Sequence, residues 1–132
     1  MPDYLFAYGT LQPGCAPAGV AALAAKLRPV GQGSVRGVLY HLGRYPGAVP
    51  DATSQSRISG TVMELPEDDS YLAQLDDYEG FDPRAPDTSD FVRERQIVEL
   101  GDGRKFDCWF YRYKGKLDPT RRIDHGIWQH AP

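Results

Sequence analysis

The sequence is poor in most residues that mark secreted, metal-bound or membrane-embedded chains. Cysteine occurs twice, at Cys15 and Cys108, far apart and in no CxxC pair. That spacing excludes both a disulfide framework and a zinc ribbon. Cys15 follows a turn with no histidine nearby and reads as a small apolar filler rather than a nucleophile. Only three histidines are present, His41, His125 and His130, scattered and without an HxxxH pair, so no metal site is expected. No run approaches the ~20 apolar residues of a membrane helix. Met1-Pro2-Asp3 carries no basic region leading into an apolar stretch, so no signal peptide is expected and a cytoplasmic location is. There is no basic tract either. Fifteen Lys and Arg stand against eighteen Asp and Glu, a net charge of −3. A phosphate-backbone binder needs a positive stripe, so nucleic acid is not expected as a partner. Gly9 and Gly14 form neither GxGxxG nor a P-loop, because no GK[ST] follows.

What is present describes one domain. The chain has 132 residues and 14.7 kDa, with 41% hydrophobic and 25% charged residues, near the average for globular proteins. A chain of this size buries roughly 65–70% of its unfolded surface, enough for a core without staples. Fourteen Gly and eleven Pro cut it into short pieces. Tyr4–Tyr8 (YLFAY) reads as a buried strand, followed by a turn at Pro13-Gly14. Ala16–Leu27 reads as a helix ended before Pro29. From Val30 apolar and polar residues alternate, with Val35, Gly37, Leu39 and His41 on one side of a strand. Tyr45-Pro46-Gly47 reads as a turn and 51–56 as a loop. Ile58–Leu65 reads as a strand, with Gly60 at a bulge or a close backbone approach.

Tyr71, Leu72, Leu75 and Tyr78 recur at helical spacing, predicting a helix over 66–78 with Gly80 as its stop. Phe81–Asp90 (FDPRAPDTSD) holds two prolines and reads as a loop long enough to be functional. Phe91–Leu100 and Lys105–Tyr113 flank Gly101-Asp102-Gly103 as a hairpin. Residues 1–113 form the expected core and 114–132 a polar C-terminal tail with one aromatic anchor, Trp128. Strands outnumber helices and are grouped, which favours an α+β fold closing into a small mixed β-barrel with peripheral helices.

Two segments stand out as candidate chemistry. The first is Tyr8-Gly9-Thr10-Leu11-Gln12-Pro13-Gly14 at the exit of the first strand. A strand ending in Gly-Thr before a turn exposes backbone N–H groups with no ladder partner, and such donors hold a carboxylate or a developing oxyanion. On spacing alone, a plain strand-to-turn junction is the favoured reading of this segment. The second is Leu75-Asp76-Asp77-Tyr78-Glu79-Gly80. Glu79 closes an apolar helix face, where poor solvation raises a carboxyl pKa and makes it a proton carrier near neutrality. An acidic residue at a helix C-terminus opposes the dipole, and a broken local rule invites a functional reason. An exposed glutamate is the alternative.

Together the two segments resemble the gamma-glutamylcyclotransferase-like family. Its members open on Leu/Phe-x-Tyr-Gly-Thr-Leu-x-x-Gly, where Leu5–Gly14 reads LFAYGTLQPG, and carry Leu-Asp-x-(Tyr/Phe)-Glu-Gly, where Leu75–Gly80 reads LDDYEG. Between them Arg44–Pro50 (RYPGAVP) resembles the family's Tyr-Pro segment. The likeness extends to Tyr113. Many relatives begin the strand after the acidic helix with Tyr-x-Arg, where this chain has Phe91-Val92-Arg93 and lacks the hydroxyl.

The resemblance implies a small mixed barrel that releases 5-oxoproline from a gamma-glutamyl amine or peptide. Glu79 would be the general acid/base, and the backbone of Tyr8, Gly9, Thr10 and Leu11 would line the pocket for the glutamyl head. The implied partner is a small-molecule substrate, with no metal or cofactor called for. The motifs address the glutamyl head and leave the amine open, and nothing in the sequence indicates an oligomeric state. The loop Phe81–Asp90 and the C-terminal tail are the candidate selective wall. Two other functions fit the same residues: a binding protein that holds a gamma-glutamyl-like ligand without turnover, and an amidase in which Glu79 activates water.

Overall fold

The computed structural model describes residues 3–12, 16, 18–43 and 45–127. The Pro13-Gly14 turn, Cys15, Arg44, Trp128 and His130 lie outside the described residues. Among the described residues, seven strands and two helices run in the order β1 (Tyr4–Ala7), α1 (Ala21–Ala24), β2 (Arg28–His41), β3 (Pro46–Pro50), β4 (Arg57–Glu64), α2 (Tyr71–Glu79), β5 (Phe91–Leu100), β6 (Lys105–Tyr113) and β7 (Arg122–Ile123). Among the described residues no helix is long and apolar enough to cross a membrane.

The expected α+β barrel is what forms. Antiparallel ladders join β1 to β4, β4 to β2 and β2 to β3, and short parallel contacts of β6 with β3 and with β1 close a five-strand ring. β5 lies against β6 and reaches β2 at Gly33 and Ser34. Alternation of side chains then builds two cores. Phe6, Tyr8, Val35, Leu39, Ile58, Val62, Val98, Cys108 and Phe110 fill the barrel. Leu5, Ala7, Met63, Phe91 and Tyr111 point outward and are covered by Tyr71 and Leu75 of α2 and by Val20 and Leu27 near α1. β1 is therefore buried on both faces, which is why its sequence is an unbroken apolar run rather than an alternating one.

Several elements differ from the sequence reading. The helix expected over Ala16–Leu27 shrinks to a 3-10 turn at Ala18–Val20 and the single turn α1. The segment has no side-chain cap, and Val20 and Leu27 are its buried residues, so little packing offsets the cost of nucleating a short helix. Pro29 does not merely end that helix but sits in β2, at a register shift between Pro29 and Gly31 where the ladder tolerates a missing N–H. The turn expected at Tyr45-Pro46-Gly47 is tighter: Leu42 N–H donates to the Tyr45 carbonyl (3.0 Å), and Pro46 and Gly47 already pair with His41 and Tyr40. Part of the tail folds back. Beyond a 3-10 turn at Pro119–Arg121, β7 pairs with Leu39 and Tyr40 of β2, and Gly126 accepts from Ser59 N–H (2.8 Å).

α2 starts at Tyr71, five residues after the expected Pro66, because the Asp68 carboxylate accepts from both Ser70 N–H (2.9 Å) and its hydroxyl (2.8 Å) and holds 66–70 as a turn. It stops at Gly80 as expected, with φ 75°.

Gly60 marks the close approach read from the sequence: a Cβ there would lie 2.4 Å from the Ala7 carbonyl oxygen and 2.8 Å from the Phe6 ring. Gly60→Ala is expected to destabilise the fold by about 2 kcal/mol or more in urea unfolding. Gly101→Ala, with open space around it, should stay within about 0.5 kcal/mol of the parent.

Candidate active site

β1 ends at Ala7, and the chain turns with Gln12 N–H donating to the Gly9 carbonyl at 3.1 Å. Among the described residues the N–H groups of Gly9, Thr10 and Leu11 reach no protein acceptor. Gly9 is set by space: a Cβ there would lie 2.8 Å from the Pro46 ring. Tyr8 turns its ring into the barrel against Phe110, and its hydroxyl donates to the Tyr111 carbonyl at 2.5 Å. Thr10 turns the other way, and its hydroxyl lies 2.6 Å from that of Tyr78 on α2. That bond ties the strand exit to the helix.

Glu79 occupies the last position of α2. Phe81 N–H donates to the Asp76 carbonyl (2.8 Å) and Gly80 N–H to that of Asp77 (3.2 Å), the paired bonds of a Schellman cap. Phe81 packs into the outer core, fixing the direction in which the chain leaves. The Glu79 side chain is half-buried, and among the described residues no donor bonds its carboxyl. Burial first, and then the negative charge of Asp76, push its pKa up from 4.5 to about 7. Three phenols face it. Tyr8, Tyr78 and Tyr111 each titrate above the usual tyrosine range, chiefly through burial, with the Glu79 charge adding to the rise in each.

Beneath Glu79, Asp76 is buried at 4% exposure. It accepts from Arg93 Nε at 2.8 Å, from Arg93 Nη2 at 3.2 Å and from the Tyr111 hydroxyl at 2.7 Å. Arg93 also lies over the Trp109 ring, 4.3 Å from its centre.

The five residues singled out from the sequence meet in one place. Tyr8, Gly9, Thr10, Leu11 and Glu79 line a recess of about 30 Å³, closed by Tyr45, Pro46 and Tyr111. It opens past Glu79, Thr10 and Tyr45 into a basin of about 470 Å³, within the range of small-molecule sites. Thr88 and Asp90 of the loop, Gly80, Tyr78 and Phe91 form the basin wall. The described part of the tail does not line it. Phe91 stands at the mouth between Tyr45 and Tyr113, with ring centres 6.0 and 5.3 Å away.

Sequence reading missed the Asp76–Arg93–Tyr111 cluster and the part taken by Tyr45. One signal was there: Asp76 lies three residues before Glu79, on the same helix face.

Comparison with known proteins agrees with this geometry. A family model described as gamma-glutamyl cyclotransferase, AIG2-like, matches residues 5–130, well past Tyr113 and into the tail. The gamma-glutamylcyclotransferase family protein YtfP of Escherichia coli K12 is 32% identical over 90 residues, covering 68% of this chain and 66% of YtfP, just under two thirds of that relative's length. Among solved structures, YkqA from Bacillus subtilis aligns with a TM-score of 0.71 at 23% identity, over 97% of this chain and 40% of YkqA. A mouse AIG2-like protein aligns with a TM-score of 0.71 at 20% identity, over 97% of this chain and 88% of its own. At those identities the two structures speak for the fold.

The Glu79 environment has a consequence for stability. Folded, Glu79 keeps its proton up to about pH 7, whereas an unfolded chain releases it near 4.5. Its stabilising share is thus full below 4.5 and lost as pH rises to about 7. Glu79→Gln stays neutral throughout. In urea unfolding it should match the parent at pH 4.5 and exceed it at pH 8, by on the order of 3 kcal/mol at most. A difference that does not change with pH would mean a solvated carboxyl.

Proposed function

Because the chain belongs to the AIG2-like gamma-glutamyl cyclotransferase family, we propose that it releases 5-oxoproline and a free amine from a gamma-glutamyl amine or peptide, with Glu79 as general acid/base. The reaction needs no external nucleophile. The substrate's own α-nitrogen attacks the side-chain amide carbonyl, forming the ring C–N bond, and the original C–N bond to the amine breaks. Proton traffic is the difficulty. A free α-amine has a pKa of about 7.7–8.0 and is mostly charged at pH 7, so it must lose a proton before attack. The leaving nitrogen must gain one.

Glu79 moves the proton between the two nitrogens. The α-ammonium first gives one proton to solvent; as the neutral amine attacks, the Glu79 carboxylate takes the second proton from the ring nitrogen and, as carboxylic acid, delivers it to the departing nitrogen, ending as it began. A group titrating at about 7 is present in both forms at neutral pH, which is where one carrier serves both steps best. The N–H groups of Gly9, Thr10 and Leu11 hold the α-carboxylate or the tetrahedral oxyanion, as unpartnered donors beside a partly dry cleft do. The recess and the adjoining part of the basin take the glutamyl head in a folded shape, and closure of a five-membered ring from such a shape gains from high effective molarity. The amine extends into the basin walled by Tyr45, Thr88, Asp90 and Phe91.

One observation carries this reading: a carboxyl pushed up to about 7 lines the same recess as a row of backbone donors, and among the described residues neither it nor they have a hydrogen-bond partner. Glu79→Gln keeps the shape and removes the carrier. Release of 5-oxoproline from a panel of gamma-glutamyl amines should fall by about 10²–10⁴-fold, with substrate binding within a few-fold of the parent. Activity within a few-fold of the parent overturns the mechanism. Ligand bound by the parent with no product would identify a binding protein, and free glutamate in place of 5-oxoproline an amidase.

A further inference from the structure

Resting on that reading of Glu79, we propose that Asp76 is the positioning residue of the site: a buried anion, clamped by Arg93 and Tyr111, that sets the charge state of Glu79 from one helical turn away.

Stability gives Asp76 a poor reason to be there. A buried ion pair rarely contributes more than well-packed apolar side chains of the same volume, because desolvation offsets the attraction. Yet this pair is built with care. Two bonds from Arg93 and one from Tyr111 occupy both carboxylate oxygens. Arg93 is in turn fixed over Trp109, which also carries Arg95 3.8 Å from its ring centre and donates its indole N–H to Asp3 at 2.8 Å. The cation cannot swing toward Glu79 without leaving the stack and the carboxylate together.

The arrangement is directional. On α2, residues three apart lie on one face, so Asp76 and Glu79 are neighbours, with Tyr78 beside them. β6 contributes Tyr111, which bonds Asp76 and lines the recess of Glu79. β5 contributes Arg93, and the exit of β1 contributes Tyr8 and Thr10. Asp76 is a like charge on the same helix face as Glu79 and adds to the effect of burial, while Asp90 of the loop faces Glu79 across the basin. The anion favours the protonated acid, hence proton delivery to the leaving amine. Burial alone would achieve this less selectively, since it also excludes the charged substrate.

The test is a titration of Glu79 by carbon NMR on the labelled full-length protein, which needs no substrate. In Asp76→Asn, a close isostere, the Glu79 midpoint should fall by roughly one pH unit. In Arg93→Gln the anion is less compensated, and the midpoint should stay at the parent value or rise. A merely structural clamp predicts otherwise, because loosening either partner would hydrate Glu79 and lower the midpoint in both variants. An unchanged midpoint in Asp76→Asn, or a lowered one in Arg93→Gln, overturns the proposal. If Asp76→Asn does not fold, Arg93→Gln decides alone. In 5-oxoproline release, the acidic limb of the pH profile of Asp76→Asn should move down with the midpoint. Should Glu79→Gln retain full activity, the cyclotransferase mechanism falls while the titration still reports on Asp76.

Discussion

Keeping a carboxyl half out of water without giving it a hydrogen bond is a demanding condition, and much of this small fold serves it. A glutamate at the end of an exposed helix would swing into solvent and titrate near 4.5. Glu79 cannot, because α2 is held at both ends. Tyr71 and Leu75 are sunk in the outer core, and the Tyr71 hydroxyl donates to the Leu23 carbonyl. The C-terminal turn is closed by the Gly80 cap, with Phe81 packed, partly buried, behind it and Tyr78 tied to Thr10. Burial, the negative end of the helix dipole and the Asp76 charge then all press in one direction, toward the protonated acid.

The opposite wall has the complementary requirement of donors held still. A loop alone would place three N–H groups poorly. Here they follow directly from β1, which pairs with β4 and touches β6 at Leu5–Trp109, and whose two faces lie in separate cores. Tyr8 anchors the exit inside the barrel and Gly9 lets Pro46 close over it. Acid and donors thus sit on elements whose relative position is fixed by the barrel, and a site built on fixed elements loses less to reorganisation when charge develops.

How much of this was legible in the sequence depends on how local each cause is. The strand Tyr4–Ala7, the face of α2, its stop at Gly80 and the β5–β6 hairpin follow from periodicity and turn residues within ten positions of one another. So does the oddity of Glu79, an acid where the dipole disfavours one. α1 failed because composition favours a helix that has almost nothing to pack against, and β7 was invisible because two residues carry no period. Asp76 was legible as part of a motif but not as a buried anion. Its partners lie 17 and 35 positions away on two strands, and their convergence is a product of the closed barrel.

Under the proposed reaction, this division between local and distant causes bears on specificity. The glutamyl head meets backbone donors, which any side chain at those positions supplies provided Gly9 keeps its space. The amine meets side chains from separate elements: Tyr45 before β3, Thr88 and Asp90 in the loop after α2, Phe91 at the start of β5. Lys114 N–H donates to the Asp90 carbonyl at 2.6 Å and joins the loop to the chain beyond β6, while Asp82 N–H donates to the Ser89 hydroxyl at 3.1 Å and closes the loop on itself. Of the wall residues, Thr88 and Asp90 lie outside both cores, so under the proposed reaction amine preference is open to change there with the proton-transfer apparatus retained.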